Sequence, residues 1–221
     1  MIACLFSGGK DSTLALHRAY GLGIKAELLI TFKSRNPDSY MFHYPNIEHT
    51  KLQANALGIK QVFVETMGEK EKELDDLENA LKENDVTTII TGATYSRYQS
   101  ERINKIAEKL GIEHIAPLWH IDPLEELNEI AERYNAIITK VSAEGLDKSL
   151  LGKRIDKDII KALEEANKKY GINMLFEGGE GESFVLDAPL FKKKIVVKSF
   201  EIIDEGMSAT YKINKAILEE K

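Results

Sequence analysis

Short apolar runs alternate with charged helical patterns through the first two-thirds of the chain, and that alternation narrows the fold more than any single residue. Strand candidates fall at 2–6, Ala26–Phe32, Gln61–Glu65, Thr87–Thr91, 112–116 and Ala136–Val141. Helical patterns lie between them at 12–21, 46–57, 69–84, 97–110 and 123–134, with charge on one face, as in Glu69-Lys70-Glu71-Lys72-Glu73-Leu74. The strands are continuous apolar runs, as expected of strands covered on both sides. This predicts an α/β fold: a Rossmann-like parallel sheet with helices on both faces. Beyond about residue 143 the pattern changes. Lys157–Tyr170 reads as one helix, followed by a glycine-rich loop and strand-like pieces near 183–188, 194–203 and 208–213. That part reads as a smaller α+β domain, so the expected division is 1–143 and 144–221.

Ligands of such sheets sit at the carboxyl ends of the strands. At the end of the first strand stands Ser7-Gly8-Gly9-Lys10-Asp11-Ser12, directly ahead of a helical run from Thr13. Two glycines let backbone approach an anion, and the N–H groups of the helix start point at it. Ser7 and Ser12 add hydroxyl donors, and Lys10 adds a mobile positive charge. The bland alternative is a tight turn with Asp11 or Ser12 as a helix cap. The loop is not a Walker A motif. That motif needs a glycine where Cys4 stands and a Ser or Thr where Asp11 stands.

Composition excludes several classes. With 43% hydrophobic and 30% charged residues the chain reads as a soluble globular protein, and no apolar run approaches the roughly 20 residues that span a bilayer. A lone cysteine, Cys4, forbids a disulfide within the chain, and the start reads as a strand rather than a signal peptide, so the cytoplasm is expected. A formal charge of −6 argues against general nucleic-acid binding. Lys192-Lys193-Lys194 reads as a charged edge ahead of Ile195-Val196-Val197. His17, His43, His49, His114 and His120 show no metal-ligand spacing.

Further constellations lie downstream. Glu177-Gly178-Gly179-Glu180-Gly181-Glu182 precedes an apolar strand that ends at Asp187. Composition leaves a solvated acidic turn and a cation-holding loop about even. Gly92-Ala93-Thr94-Tyr95-Ser96-Arg97 follows a strand, and Arg97 and Arg102 suit a phosphate or a carboxylate, or are surface arginines paired with Glu101 or Glu108. Phe32, at the end of the second strand, is placed to pack on an adenine. The loop Met41-Phe42-His43-Tyr44-Pro45 borders that position, with Asn46 as a helix cap.

Ser7–Ser12 resembles the PP-loop of N-type ATP pyrophosphatases. The segments 177–189, 92–102, Pro117-Leu118-Trp119, Gly145-Leu146-Asp147 and Leu151-Gly152-Lys153-Arg154 are similar to diphthine–ammonia ligases of that superfamily. One position departs: the family often carries an aromatic residue where Gly181 stands. The resemblance implies an adenine nucleotide alpha-hydrolase-like fold, with ATP bound by residues 1–143 and the acceptor by 144–221. It implies cleavage of ATP between the α- and β-phosphates. The diphthine carboxylate on elongation factor 2 becomes an acyl-adenylate, and ammonium supplies the amide nitrogen. On that reading Ser7, Gly8, Gly9, Lys10, Asp11, Ser12, Phe32 and Gly92 hold the nucleotide, and Lys10, Asp11 and Arg97 serve the chemistry. Asp11 is the candidate ligand of Mg2+. Tyr95, Arg102, Glu177, Gly178, Gly179, Glu180, Glu182 and Asp187 are expected to hold the acceptor, with Glu180 and Glu182 attracting its cation beside Tyr95 or Phe184. A homodimer is expected on base rate alone. Two other readings stay open: a PP-loop enzyme that modifies tRNA, and a non-enzymatic ATP-binding sensor.

Overall fold

The computed structural model describes residues 1–34, 46–67, 72–95 and 97–221, and side chains outside 97–99. Its first part runs β1 (Ile2–Leu5), α1 (Lys10–Gly21), β2 (Leu28–Ser34), α2 (Thr50–Leu57), β3 (Lys60–Thr66), α3 (Lys72–Glu83), β4 (Thr88–Ile90), α4 (Arg97–Leu110) and β5 (Glu113–Ile115). The five strands form one parallel sheet in the order β3-β2-β1-β4-β5. Side chains alternate between its faces. Ala3, Leu28, Ile30 and Ile89 enter the apolar cluster under α3 and α4. Cys4, Leu29 and Ile90 enter the cluster under α1 and α2. Both faces are covered, which is why the strands read as unbroken apolar runs.

The strand order reverses at β1. The chain leaves β1 toward β2 and later returns to β1's other side as β4. Such a switch point opens a crevice at the carboxyl ends of the two strands. The residue 7–12 loop follows β1 at that crevice, and Gly92 follows β4.

The second part runs α5 (Pro123–Arg133), β6 (Asn135–Val141), α6 (Lys157–Tyr170), β7 (Gly181–Asp187), β8 (Lys194–Asp204) and β9 (Ala209–Glu219). Asp122 caps α5 by accepting from the Leu124 and Glu125 amides, with Pro123 at the first helical position. The strand at 136–141, expected as the sixth of the parallel sheet, belongs instead to an antiparallel sheet of order β7-β6-β9-β8. The physical reason is that β6 is interior to that sheet. Ala136, Ile137, Ile138 and Thr139 are all buried, so the stretch carries the same two-sided signature as a parallel strand. This second sheet packs through Ile137, Val141, Phe184, Val185 and Ile195 into the cluster on the α1 and α2 side.

Candidate active site

The loop after β1 turns at Gly8, whose φ is +79°. A Cβ there would lie 2.3 Å from Gln53 Oε1, so both conformation and space require glycine. Gly9 is the N-cap of α1 and has no side chain to cap its first turn. The hydroxyls of Ser7 and Ser12 lie 3.2 Å apart, and the Gly9 amide donates to Ser7 Oγ at 3.4 Å. Backbone N–H groups and two hydroxyls therefore gather at one helix start, the arrangement that binds phosphate.

Strand β7 closes on this loop from the second sheet. The Val185 amide donates to Gly8 O at 3.0 Å, and the Lys10 amide donates to Ser183 Oγ at 3.1 Å. Gln53 Nε2 donates to both Gly8 O and Val185 O, at 2.8 and 2.7 Å. On the other side Gly92 presses on the α1 backbone. A Cβ at 92 would lie 2.8 Å from Asp11 C and from Ser12 N.

Lys10 is not the mobile charge expected from sequence. Its side chain is 1% exposed and turns into the interior. There its ammonium donates to Asp11 Oδ1, to Leu175 O at 3.0 Å and to Glu126 Oε1 at 3.5 Å, with the Phe176 ring centroid 6.0 Å away. Burial opposes that charge, but the Asp11 and Glu126 carboxylates outweigh it and hold the amine above the usual lysine range. Glu126 is fully buried, and burial pushes its carboxyl well above the usual range against the pull of Lys10. Asp11 remains partly open, at 32% side-chain exposure. Glu177 accepts from Thr94 Oγ1, and burial raises its carboxyl while that hydrogen bond opposes the rise. Lys10, Asp11, Glu126, Glu177 and Thr94 thus form one charged network behind the loop.

The acidic glycine segment is more internal than expected. Among the described residues Glu180 pairs with no Lys or Arg. Its oxygens accept from the Asn173 amide at 2.9 Å and the Gly178 amide at 2.8 Å, which folds the segment onto itself. Gly178 leaves room for that carboxylate, since a Cβ there would meet Glu180 Oε1 at 2.7 Å. Gly179 has φ +84°, and its carbonyl accepts from Ser142 Oγ at 2.5 Å. At Gly181 a Cβ would lie 2.8 Å from Lys140 O and 3.3 Å from the Phe176 ring, so Phe176 fills the space beside this glycine.

Glu182 sits 3.7 Å from Lys140 Nζ, and its buried Oε2 accepts no hydrogen bond among the described residues. Burial pushes its carboxyl from an ordinary 4.5 up to about 8, against the opposing effect of Lys140. The folded state therefore keeps a proton that the unfolded chain releases. That stabilisation is complete below pH 4.5 and fades as pH rises through 8. Glu182→Gln is expected to flatten the fall of melting temperature between pH 5 and pH 8. Melting curves at the two pH values check this; a wild-type-like slope in the variant would contradict it.

The other expected site residues lie partly beside this network and partly away from it. Phe32 is 4% exposed and lies in the apolar cluster under α3 and α4, not open to an adenine. Asp187 pairs with Lys221 at 2.7 Å. Tyr95 is 41% exposed beside Thr94, and its hydroxyl donates to Ile121 O at 2.6 Å. Phe184, the alternative aromatic, is buried. Arg97 and Arg102 lie on α4 after the β4 crevice. Asn46 stands at the N-cap of the short 3-10 helix Ile47–His49, as expected, but its side chain makes no capping bond; it bonds Tyr211 O and the Ile213 amide instead, tying the segment to β9. His43 and the rest of 41–45 lie outside the described residues. Sequence reasoning missed Glu126, Gln53, Thr94 and Ser183. Glu126 alone carried a signal: its helical spacing to buried Ile130 sets it on the apolar face of α5.

Family comparison joins the two halves of this site. Residues 1–114 match the diphthamide synthase N-terminal domain, and residues 122–218 match the diphthamide synthase C-terminal domain. The chain belongs to the diphthamide synthase family. Its relatives include the human diphthine–ammonia ligase, 34% identical over 94% of this chain and 86% of that protein. The Danio rerio diphthine–ammonia ligase is 33% identical over 90% of this chain and 87% of its own. A solved structure described as a predicted subunit of tRNA methyltransferase from Methanocaldococcus jannaschii aligns over 85% of this chain and 97% of that one. Its TM-score is 0.46 at 17% identity, too loose a likeness to bear on function. Within diphthamide synthases, the loop at 7–12 belongs to the N-terminal domain and Ser183–Val185 to the C-terminal domain, so the contacts above join the two domains at one place.

Proposed function

We propose that the chain is a diphthine–ammonia ligase that amidates the diphthine carboxylate of elongation factor 2 with free ammonium, releasing AMP and pyrophosphate. The observation that carries this reading is the seam between the two family domains, where β7 hydrogen-bonds to Gly8 and Lys10 of the phosphate loop. The division of roles runs with the sheets: the parallel sheet holds ATP, and the antiparallel sheet, with β6 included, presents the acceptor.

In the proposed reaction the diphthine carboxylate attacks the α-phosphorus and the bond to the bridging oxygen breaks. The β- and γ-phosphates leave as pyrophosphate toward the helix start. The first-turn N–H groups and the Ser7 and Ser12 hydroxyls receive that charge. Lys10 acts from behind, holding Asp11 and the Leu175 carbonyl in place rather than touching phosphate. Ammonia then attacks the acyl carbon of the mixed anhydride, loses a proton, and AMP departs. Much of the rate comes from positioning.

Mg2+ fits this site as a phosphate-borne ion. Among the described residues no three acidic, His or Cys side chains form a metal cage, and Mg2+ bound to phosphates needs only one or two carboxylates. Asp11, partly exposed at the helix start, would hold it, and the ion would offset the charge of the leaving phosphates. A thiolate route finds no support, because burial pushes the Cys4 thiol up to about 12. Among the described residues no helix is long and apolar enough to cross a membrane. A cytoplasmic setting belongs to this reading, and so does a homodimer, on base rate alone. The test is release of AMP and pyrophosphate that depends on both the diphthine-bearing factor and ammonium.

A further inference from the structure

Glu180 is engaged within its own loop and Glu182 is buried beside Lys140, so the fixed cation of the acceptor needs another partner. A quaternary ammonium has no N–H to donate. Only aromatic faces and unpaired negative charge attract it.

The structure offers such a place beside the Thr94–Glu177 contact. The Tyr95 ring stacks on His120 with centroids 5.6 Å apart and planes 9° from parallel, and Trp119 stacks on His120 at 4.9 Å and 26°. All three are exposed. His120 holds this geometry with φ at +60°, a conformation that costs a non-glycine residue energy, while its amide donates to Thr94 O at 3.0 Å. Exposed rings held together over a strained backbone are not explained by the core.

Trp119 also walls an open cavity of about 450 Å³, with Ala116 and His114 on one side and Ser100, Glu101 and Asn104 of α4 on the other. His114 is held at both ring nitrogens, Nε2 2.8 Å from Thr91 Oγ1 and Nδ1 2.5 Å from Asn104 Oδ1, contacts that a neutral ring protonated at Nδ1 satisfies. Burial lowers its pKa, in keeping with that neutrality. Glu101 is an exposed carboxylate, and the lining includes no Lys or Arg among the described residues. One aromatic wall, one carboxylate and neutral polar groups suit a small organic cation and disfavour an anion.

We propose that Trp119 and Glu101 form the subsite for the trimethylammonium group of diphthine. The assignment rests on the ligase reading above, and its test is built to fail separately. Trp119 is the only tryptophan, so its fluorescence reports on the subsite in the full-length protein without turnover. Choline is expected to perturb Trp119 emission saturably, and its uncharged carbon analogue 3,3-dimethylbutan-1-ol is not. Glu101→Gln is expected to weaken the choline response several-fold while leaving the melting temperature unchanged. In turnover, Trp119→Leu should raise KM for the diphthine-bearing factor roughly tenfold, with KM for ATP unchanged, and Trp119→Tyr should restore most of the loss. An equal response to both probes, or none to choline, overturns the subsite. So does an unchanged KM for the factor in Trp119→Leu and Glu101→Gln. A choline response in a protein that shows no factor-dependent turnover would keep the cation site and overturn the ligase reading.

Discussion

Lys10→Ala is expected to lower stability by about 1–3 kcal/mol, the cost of leaving buried polar groups without their hydrogen-bond donor. Lys10 is 1% exposed and Glu126 is not exposed at all. The substitution strips the Leu175 carbonyl of its donor, leaves Glu126 facing an empty space and frees Asp11 from its anchor. Turnover should fall as well, by roughly 10²-fold, because displacing a group by about 1 Å costs that much where catalysis depends on positioning. Lys10→Met separates the two effects. It fills most of the volume but carries no charge, so it should regain part of the stability and little of the rate. Chemical denaturation and single-turnover AMP formation, measured where the variants are folded, check this. KM for ATP should move little, since Lys10 does not line the cradle. A large rise in KM with unchanged stability would mean that Lys10 swings out to bind phosphate after all.

Gly92→Ala is the second large effect. The new methyl would enter within 3.0 Å of three backbone atoms of Asp11 and Ser12, none of which belongs to a flexible side chain. The first turn of α1 must shift, at a cost of about 1–3 kcal/mol for overpacking. The shift moves the phosphate cradle relative to the acceptor, so AMP formation is expected to fall roughly 10²-fold. Gly21→Ala is the control. It lies at the far end of the same helix with nothing within 4 Å of the added carbon, and it should leave both stability and rate near wild type. Equal rates for Gly92→Ala and Gly21→Ala would remove Gly92 from the site.

Why these two residues matter was only half legible in the sequence. The cradle at Ser7–Ser12 was legible because glycines between an apolar strand and a helix have few other uses, and the parallel sheet because two-sided burial leaves unbroken apolar runs. The same rule misplaced β6, since an interior antiparallel strand is also covered on both faces. Lys10 reads as a surface charge in any local window; its burial depends on Glu126 and Leu175, more than 100 residues away. Glu180 reads as a ligand because composition cannot show that Asn173 and Gly178 amides already occupy its oxygens. Phe32 reads as a strand-end ring open to a ligand, and only the packing of α3 and α4 closes it off. Local chemistry was visible, and its long-range partners were not.

The most direct test of the whole account is the stoichiometry of ATP cleavage. Purified protein is given ATP, Mg2+ and elongation factor 2 bearing diphthine, with and without ammonium, and AMP, ADP, pyrophosphate and phosphate are quantified together with the mass of the factor. One AMP and one pyrophosphate are expected per factor amidated, with sustained release only when factor and ammonium are both present. ADP and phosphate as products, or AMP release indifferent to the diphthine-bearing factor, would contradict it.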